Sequence, residues 1–181
     1  MLRPPPLACD CHIHVFGPFA RYPLDPARKY TPGEATLEEY LKVARTLGTG
    51  RVVLVQPSVY GTDSSCQLDA LRQLGERARG VAVIDEATSD AQLLELNGAG
   101  FEGARLNLTR EADLGSLERL AARELTKRNP ERLVWGTDWP HPDVAVLPED
   151  QALLDVLENW VPDEAMRHRI LVDNPAKLYG F

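Results

Sequence analysis

Short apolar runs alternate with amphipathic helical patterns along the chain, and this alternation limits the fold more than any other feature. The apolar runs are rich in β-branched residues and lie at 7–16, 51–56, 80–84, 103–108 and 132–138. Strands that are apolar along nearly all of their length are typical of a parallel sheet covered on both faces. We therefore predict an α/β fold with right-handed crossovers, built as one domain over residues 1–181.

Helical patterns fill the intervals between the apolar runs. Thr36 is expected to cap the first helix, with Glu39 completing a capping box and Gly48 ending the helix. Ser89 is expected to cap a later one over residues 91–96. Further helices are predicted within residues 63–79, 116–125, 149–160 and 162–172. The proline-rich stretch 17–35 is too long for a plain turn, and we expect it to line the active site, because long loops after the carboxyl ends of strands do so in α/β barrels.

Composition excludes several classes of protein. The net charge of −7 disfavours a surface for nucleic acid or anionic membrane. No apolar run approaches the ~20 residues of a membrane span, and the first residues lack the apolar core of a signal peptide. Cys9, Cys11 and Cys66 are an odd set, and Cys9 and Cys11 lie too near each other on one strand to form a disulfide readily. We therefore expect a reduced, cytoplasmic protein.

The first apolar run carries polar side chains at its end. Strict alternation along a strand would place Asp10, His12 and His14 on one face, with Cys9, Cys11 and Ile13 on the other. Two imidazoles on one face could bind a metal or polarise a substrate carbonyl. The alternative is a pair of hydrogen-bonded histidines at a strand end. A structural zinc site that includes the cysteines is disfavoured, because alternation separates them from the histidines.

Asp138 ends the last apolar run and is followed by Pro140 and Pro142. A carboxylate in this position could act as a general base on water, and the alternative is a cap on the following turn. His141 lies nearby, either at the site or packed beneath it, whereas His168 lies in a charged stretch and is expected at the surface.

Three further residues could contact a substrate. Ser58 and Tyr60 supply hydroxyls after the second run, whereas Asp63 is expected to cap the next helix. Arg105 lies inside an apolar run, where a guanidinium is costly to bury unless it meets an anion. A substrate carboxylate would serve, bound through both guanidinium nitrogens, and the alternative is an ion pair with Asp85 or Glu86.

Taken together, these motifs resemble the amidohydrolase superfamily, and within it the branch of 2-pyrone-4,6-dicarboxylate hydrolases. The resemblance covers nearly the whole chain and rests on DCHIHVFG at 10–17, YTP at 30–32, VQPSVYGTD at 55–63, GARLN at 103–107, WGTDWPHP at 135–142 and DNPAKLYGF at 173–181. It implies a (β/α)₈ barrel with its site at the carboxyl ends of the strands.

The resemblance also implies roles for individual residues. His12 and His14 match the histidine pair of the first strand, and Asp138 matches the aspartate of the last strand, which is the general base. Tyr30, Ser58 and Arg105 match groups that hold the carboxylates and carbonyl of the substrate. This branch is thought to work without a divalent metal. Water activated by Asp138 would attack a lactone carbonyl, and the histidines would stabilise the oxyanion.

The chain departs from that family in its length. Its five predicted strands correspond to about five of the eight βα units of a TIM-like barrel, which takes ~250 residues. We predict an internal deletion near residues 123–124 that removes strands five to seven, together with a histidine and an arginine that the family supplies from them. The last strand would then pair with the fourth or with the first. A homo-oligomer could cover the open edge that remains.

The same departure affects metal binding and activity. His12, His14 and Asp138 are a possible three-ligand zinc set, but the usual superfamily set also draws on the missing strands. We therefore expect no tightly held metal. The leading hypothesis is hydrolysis of a small carboxylated lactone. The alternatives are an inactive remnant or ligand-binding protein, and a metal-dependent decarboxylase of the same superfamily.

Overall fold

The structure is a computed structural model that describes residues 2–85, 87–105, 130–142 and 149–181. A parallel sheet of four strands forms its centre, in the order β1 (Cys9–Ile13), β2 (Arg51–Val55), β3 (Ala78–Val83) and β4 (Phe101–Arg105). Strands that follow one another in the chain are neighbours in the sheet, as predicted for successive βα units. The predicted runs were displaced or too long at their ends, and residues 106–108 lie outside the described part.

The helices cover the sheet and close the described part of the chain. Helix α1 (Leu37–Leu47) follows β1, α2 (Ser65–Leu74) follows β2 and α3 (Asp90–Gly98) follows β3. After the gap come α4 (Asp150–Trp160), α5 (Glu164–His168), a π-helical turn (Arg169–Asp173) and α6 (Asn174–Tyr179). The single helix predicted over 162–172 is thus divided, and the helix predicted over 116–125 lies outside the described residues.

The predicted caps of α1 and α3 are confirmed, whereas the prediction that Asp63 caps α2 is wrong. The N-cap of α2 is Ser64, and Asp63 lies one residue before it and accepts from the Ser65 N–H at 2.9 Å. Thr36 and Glu39 form a capping box at the start of α1, and Gly48 ends that helix with a left-handed φ of 81°. Ser89 and Gln92 form a second capping box at α3. Each cap depends on residues within one helical turn, which is why the local sequence predicts it.

Two of the hydrophobic clusters lie on opposite faces of the sheet. The larger one fills the space between the sheet and helices α1 and α2, and includes Ile13, Leu54, Tyr40 and Leu71. On the other face Cys9, Cys11 and Val53 pack against Val81, Tyr179 and Phe181. The prediction that Ile13 shares a face with Cys9 and Cys11 is therefore wrong. The register of β1 against β2 shifts between Asp10 and Ile13, which breaks strict alternation there.

The fifth predicted strand lies beside β1, at the edge opposite β2. The backbone N–H of Cys11 donates to the carbonyl of Trp135 at 2.8 Å, and that of His14 donates to Trp139 at 2.7 Å. Ile13 and Trp139 form a parallel bridge. Residues 133–139, here called the return segment, are nevertheless not a regular strand, and Arg132 belongs to a 3₁₀ turn (Pro130–Arg132). Of the two predicted positions for this segment, the one beside the first strand is the observed one.

Candidate active site

Three side chains converge where the carboxyl end of β1 meets the return segment. Nε2 of His12 lies 3.3 Å from Oδ1 of Asp138, and Nε2 of His14 lies 3.4 Å from the same oxygen. His14 is buried, whereas the side chain of His12 is 45% exposed and that of Asp138 is 59% exposed. The cluster thus has one buried wall and one open side, as a site that admits substrate and water requires.

A hydrogen bond to the main chain of β2 fixes the protonation of one His14 nitrogen. Nδ1 of His14 lies 2.7 Å from the carbonyl oxygen of Val55. Because a carbonyl oxygen only accepts, Nδ1 must carry a proton and donate it. Nε2 of a neutral His14 then presents a lone pair to Asp138, and two acceptors would face each other. A proton on Nε2 or a bound cation between the two groups resolves that conflict.

Asp138 is held in an uncommon backbone conformation. Its φ is 61°, a left-handed value that costs a non-glycine residue roughly 1–2 kcal/mol. Its N–H donates to the carbonyl of His12 at 2.8 Å, and its own carbonyl accepts from His141 N–H at 2.8 Å. These two bonds turn the chain at Asp138 and direct its carboxylate toward the histidines.

The electrostatic environment favours the charged form of Asp138. Partial burial by itself would raise the pKa of this carboxyl. The hydrogen bond from His14 and the charges of His14, His12 and His141 outweigh that effect, so the pKa of Asp138 lies below its usual range. An ionised carboxylate at neutral pH is the form that a general base requires.

A glycine lets the return segment approach β1 closely. A Cβ on Gly136 would lie 2.6 Å from the backbone nitrogen of His12 and 2.7 Å from its Cβ. Both distances are shorter than any real contact, so only glycine fits. Sequence reasoning did not single out Gly136, although a glycine inside an apolar run is a known signal of close backbone approach.

The hydroxyl residues after β2 take different positions. Ser58 begins a 3₁₀ turn (Ser58–Tyr60) at the carboxyl end of β2 and is half-buried. Tyr60 is buried, and its hydroxyl accepts a hydrogen bond from the Gly17 N–H at 2.7 Å. That contact anchors the start of loop 17–35. Tyr30 lies within this loop and packs partly against the main core.

Arg105 is the last residue of β4, and its side chain lies outside the described part of the structure. Neither a substrate carboxylate nor an internal ion pair can therefore be assigned to it, and both interpretations stay predictions. Its backbone position does place it at the same edge of the sheet as the histidines, because all four strands are parallel.

The remaining predicted candidates lie outside the cluster of three. His141 is buried and pairs with Asp150 at 3.0 Å, behind Asp138. His168 is half-exposed and lies 3.5 Å from Asp173, as expected of a surface residue. Asp10 was expected on the face of His12 and His14, but it is fully buried and contacts Thr137 and Tyr40 instead. Cys9, Cys11 and Cys66 are free and buried.

Comparison with known proteins shows the family of this chain. The sequence profile described as amidohydrolase matches the chain in two pieces, residues 9–128 and 117–181. The chain belongs to the amidohydrolase family. It is 28% identical to a 4-sulfomuconolactone hydrolase of Hydrogenophaga intermedia, over 97% of this chain and 89% of that protein. It is 26% identical to a 2-pyrone-4,6-dicarboxylate hydrolase of Comamonas testosteroni, over 95% of this chain and 90% of that protein.

Solved structures show the same fold for this amidohydrolase. A probable 2-pyrone-4,6-dicarboxylic acid hydrolase from Acinetobacter baumannii, crystallised with citric acid, superposes with a TM-score of 0.85. The match covers 97% of this chain and all of that one, at 20% identity. An apo structure from Agrobacterium tumefaciens gives a TM-score of 0.83 at 22% identity, over 99% of this chain and 97% of that one. The predicted α/β fold of the incomplete TIM-barrel type is thereby confirmed.

The three ligand atoms of the cluster could hold a divalent metal in place of a shared proton. Two imidazole nitrogens and one carboxylate oxygen lie within 4.8 Å of one another. A histidine whose second nitrogen donates to a carbonyl, as His14 does, is the usual form of a metal-ligating imidazole. Three such ligands with an open fourth position are the pattern of catalytic zinc. His12, His14 and Asp138 therefore fit a metal of that kind.

In the described parts of the chain, no helix is both long and apolar enough to cross a membrane.

Proposed function

We propose that this amidohydrolase opens a small lactone that carries carboxylate groups, with Asp138 as the general base. The observation that carries the proposal is the convergence of His12, His14 and an ionised Asp138 at the carboxyl edge of the sheet. An exposed carboxylate beside two imidazoles can take a proton from water and stabilise the charge that follows.

The reaction balances with water as the only co-substrate. Asp138 removes one proton as the water oxygen bonds to the lactone carbonyl carbon. The carbonyl oxygen becomes an oxyanion, which a protonated imidazole of the pair can stabilise. The ring C–O bond then breaks, and the leaving oxygen takes up the proton held by Asp138. The product is a ring-opened carboxylic acid.

The names of the relatives support a lactone as the substrate class. Two are hydrolases of 4-sulfomuconolactone and 2-pyrone-4,6-dicarboxylate, and a third, from Agrobacterium fabrum, is a D-galactarolactone isomerase. The substrates named for all three are lactones. An acidic lactone needs local positive charge in a chain whose net charge is −7, and we propose that Arg105 supplies it. Ser58, Tyr30 and Tyr60 complete the proposed binding set.

The test is turnover of 2-pyrone-4,6-dicarboxylate by the purified chain. Asp138→Asn should lower kcat by about 10²–10⁴-fold, because it removes the base without changing the shape of the side chain. Asp173→Asn is the matched control, since Asp173 is 61% exposed and pairs only with surface His168 among the described side chains. Equal turnover by Asp138→Asn and Asp173→Asn would exclude Asp138 as the base.

A metal-dependent reaction is the second candidate. It is favoured by the cluster of three donors, in which the bond from His14 Nδ1 to the Val55 carbonyl leaves Nε2 free to bind a metal. A zinc ion held by His12, His14 and Asp138 would supply a Lewis acid or an activated water. The two candidates separate on dialysis against EDTA. Full lactone turnover after dialysis supports the metal-free reaction, and turnover restored only by zinc supports the second candidate. Decarboxylation of an aromatic acid under the same conditions would indicate the other reaction of the superfamily.

We further propose that the chain is a single domain shortened internally near residues 123–124. Supporting this, the alignment with the Hydrogenophaga protein extends over 271 residues, more than the 181 of this chain, and the family profile matches in two pieces. Binding of the pyrone dicarboxylate without turnover, measured by calorimetry, would favour an inactive remnant over an enzyme.

A shortened barrel would leave the outer edge of β4 to be covered. Within the described residues β4 pairs only with β3. We propose that a second copy of the chain covers this edge, because an open strand edge invites pairing. Light scattering after size-exclusion chromatography tests the proposal, and a monomer at all concentrations would contradict it.

A further inference from the structure

The carboxylate of Asp10 lies directly beneath the cluster of three and binds both sides of the junction between β1 and the return segment. Its Oδ1 accepts from the Thr137 N–H at 2.9 Å and from the His12 N–H at 3.4 Å. Its Oδ2 accepts from the Thr137 hydroxyl at 2.8 Å and from the Tyr40 hydroxyl at 3.3 Å. Asp10 has no exposed surface, so it cannot itself meet substrate.

The contacts of Thr137 extend the effect of Asp10 to Asp138. Thr137 precedes Asp138 and is held through both its N–H and its hydroxyl. The same hydroxyl oxygen accepts from the Trp139 N–H at 3.0 Å. Asp10 thus holds Thr137 directly, and the Thr137 hydroxyl in turn holds Trp139 on the other side of Asp138. A left-handed φ at a non-glycine residue persists only where its surroundings over-determine it, and this network does so.

We propose that Asp10 is a positioning residue, which sets the carboxylate of Asp138 against the imidazoles of His12 and His14 by way of Thr137. The proposal rests on the proposed function, because it assigns Asp10 to the geometry of the general base. Asp10 contacts the backbone on both sides of the site, because it bonds to Thr137 next to Asp138 and also accepts from the His12 N–H. A misplaced base lowers kcat rather than substrate affinity, and a displacement of about 1 Å can lower the rate by about 10²-fold.

A purely structural role for Asp10 makes a different prediction. If the carboxylate only ties β1 to its neighbours, each of its hydrogen bonds should matter to stability and none to the chemical step. Tyr40 provides the comparison, because its hydroxyl binds the same Oδ2 from helix α1, and phenylalanine would keep the ring that packs against Trp139. Removing the Tyr40 hydroxyl deletes one bond to Oδ2. Removing the Thr137 hydroxyl deletes its bond to Oδ2 and also the bond that it accepts from the Trp139 N–H, next to Asp138.

The experiment compares Asp10→Ala, Asp10→Asn, Thr137→Val and Tyr40→Phe in the full chain. Asp10→Ala should lower kcat by about tenfold or more with KM changed less than about threefold. Asp10→Asn should recover part of that loss, because an amide oxygen can still accept from the Thr137 N–H. Thr137→Val should also lower kcat, whereas Tyr40→Phe should lower the melting temperature and leave kcat within about twofold.

A second readout does not depend on activity. The ¹⁵N chemical shifts of the His12 and His14 imidazoles report the carboxylate beside them, and Asp138→Asn gives the reference change. Asp10→Ala and Thr137→Val should move these signals in the same direction as Asp138→Asn, and Tyr40→Phe should leave them unchanged. If Asp10→Ala does not fold, the kcat and the imidazole shifts of Thr137→Val test the positioning role.

The outcomes separate the two proposals. A wild-type chain without turnover removes the proposed function but leaves the imidazole signals to test the role of Asp10. Folded Asp10→Ala or Thr137→Val protein with wild-type kcat or wild-type imidazole shifts would overturn the positioning role. So would a loss of kcat in Tyr40→Phe that equals the loss in Thr137→Val.

Discussion

His14 and Asp138 face each other across the junction of β1 and the return segment, with 3.4 Å between Nε2 and Oδ1. The two residues lie far apart in the sequence, and the contact exists only because the return segment lies beside β1. The hydrogen bond from His14 to Val55 leaves Nε2 as the atom that meets the carboxylate. The carboxylate and the imidazole are therefore brought together by strand pairing rather than by any local motif.

Gly136→Ala should damage the site through the main chain. The added methyl would overlap the backbone and Cβ of His12, so the return segment must move away from β1. We expect kcat to fall by about tenfold or more and the free energy of unfolding to fall by about 1–3 kcal/mol. Activity assays and chemical denaturation would measure both.

Gly98→Ala is the control for that substitution. Gly98 ends helix α3, and a Cβ there would meet no atom within 4 Å. Its activity and stability should match those of the wild type or improve slightly. Equal effects of the two alanine substitutions would contradict the close approach at Gly136.

Phe181→Ala should destabilise the face of the sheet that carries Cys9, Cys11 and Val53. The ring packs against that cluster, and the guanidinium carbons of Arg51 and Arg79 lie 5.0 and 4.8 Å from its centroid. Losing this contact and two cation–π interactions should cost about 1–3 kcal/mol, a fall of several degrees in Tm. Leu178→Ala serves as the comparison, because Leu178 is 61% exposed and its loss should change Tm little.

Asp10 should make the protein less stable as the pH rises from about 4 to about 7. Burial raises the pKa of Asp10 to about 7, although hydrogen bonds from Thr137, His12 and Tyr40 act the other way. The folded state then holds a proton that the unfolded chain has released, so the stabilisation is complete below about pH 4 and is lost as the pH rises through 7. Between pH 4 and pH 7 the free energy of unfolding should fall by up to about 1.4 kcal/mol per pH unit.

Chemical denaturation of wild type and Asp10→Asn across pH 4–8 isolates the contribution of Asp10, because the amide does not titrate. The unfolding free energy of the wild type should fall relative to that of Asp10→Asn as the pH rises from 4 to 7. A difference that is constant across this range would show that Asp10 does not carry the raised pKa.

Asp69→Asn should loosen loop 17–35, which contains Tyr30. The Asp69 carboxylate accepts hydrogen bonds from Tyr22, Arg72 and Arg21. The bonds from Tyr22 and Arg72 and the charges of Arg21 and Arg72 hold the pKa of Asp69 below its usual range. Losing the charge should raise KM for the lactone severalfold with little change in kcat, and should speed proteolysis within the loop. Asp90→Asn, at the exposed start of α3, is the control. Unchanged KM and proteolysis would show that Asp69 does not hold the loop.

The amino-acid sequence by itself determined the local elements and the candidate residues. The capping boxes at Thr36 and Ser89, the left-handed Gly48 and the parallel strands follow from patterns within a few residues. The family resemblance likewise identified His12, His14 and Asp138 before their distances were known. Short-range hydrogen bonds and hydrophobic periodicity are sufficient for such predictions.

Only the tertiary structure decided how those residues meet. It placed the return segment beside β1, buried the Asp10 carboxylate against Thr137 and Tyr40, and paired the Tyr60 hydroxyl with the Gly17 N–H. It also showed that Gly136 must lack a side chain. The physical reason is that strand pairing, a register shift and the satisfaction of buried polar groups depend on residues far apart in the chain, and each such contact is chosen only when the whole sheet is assembled.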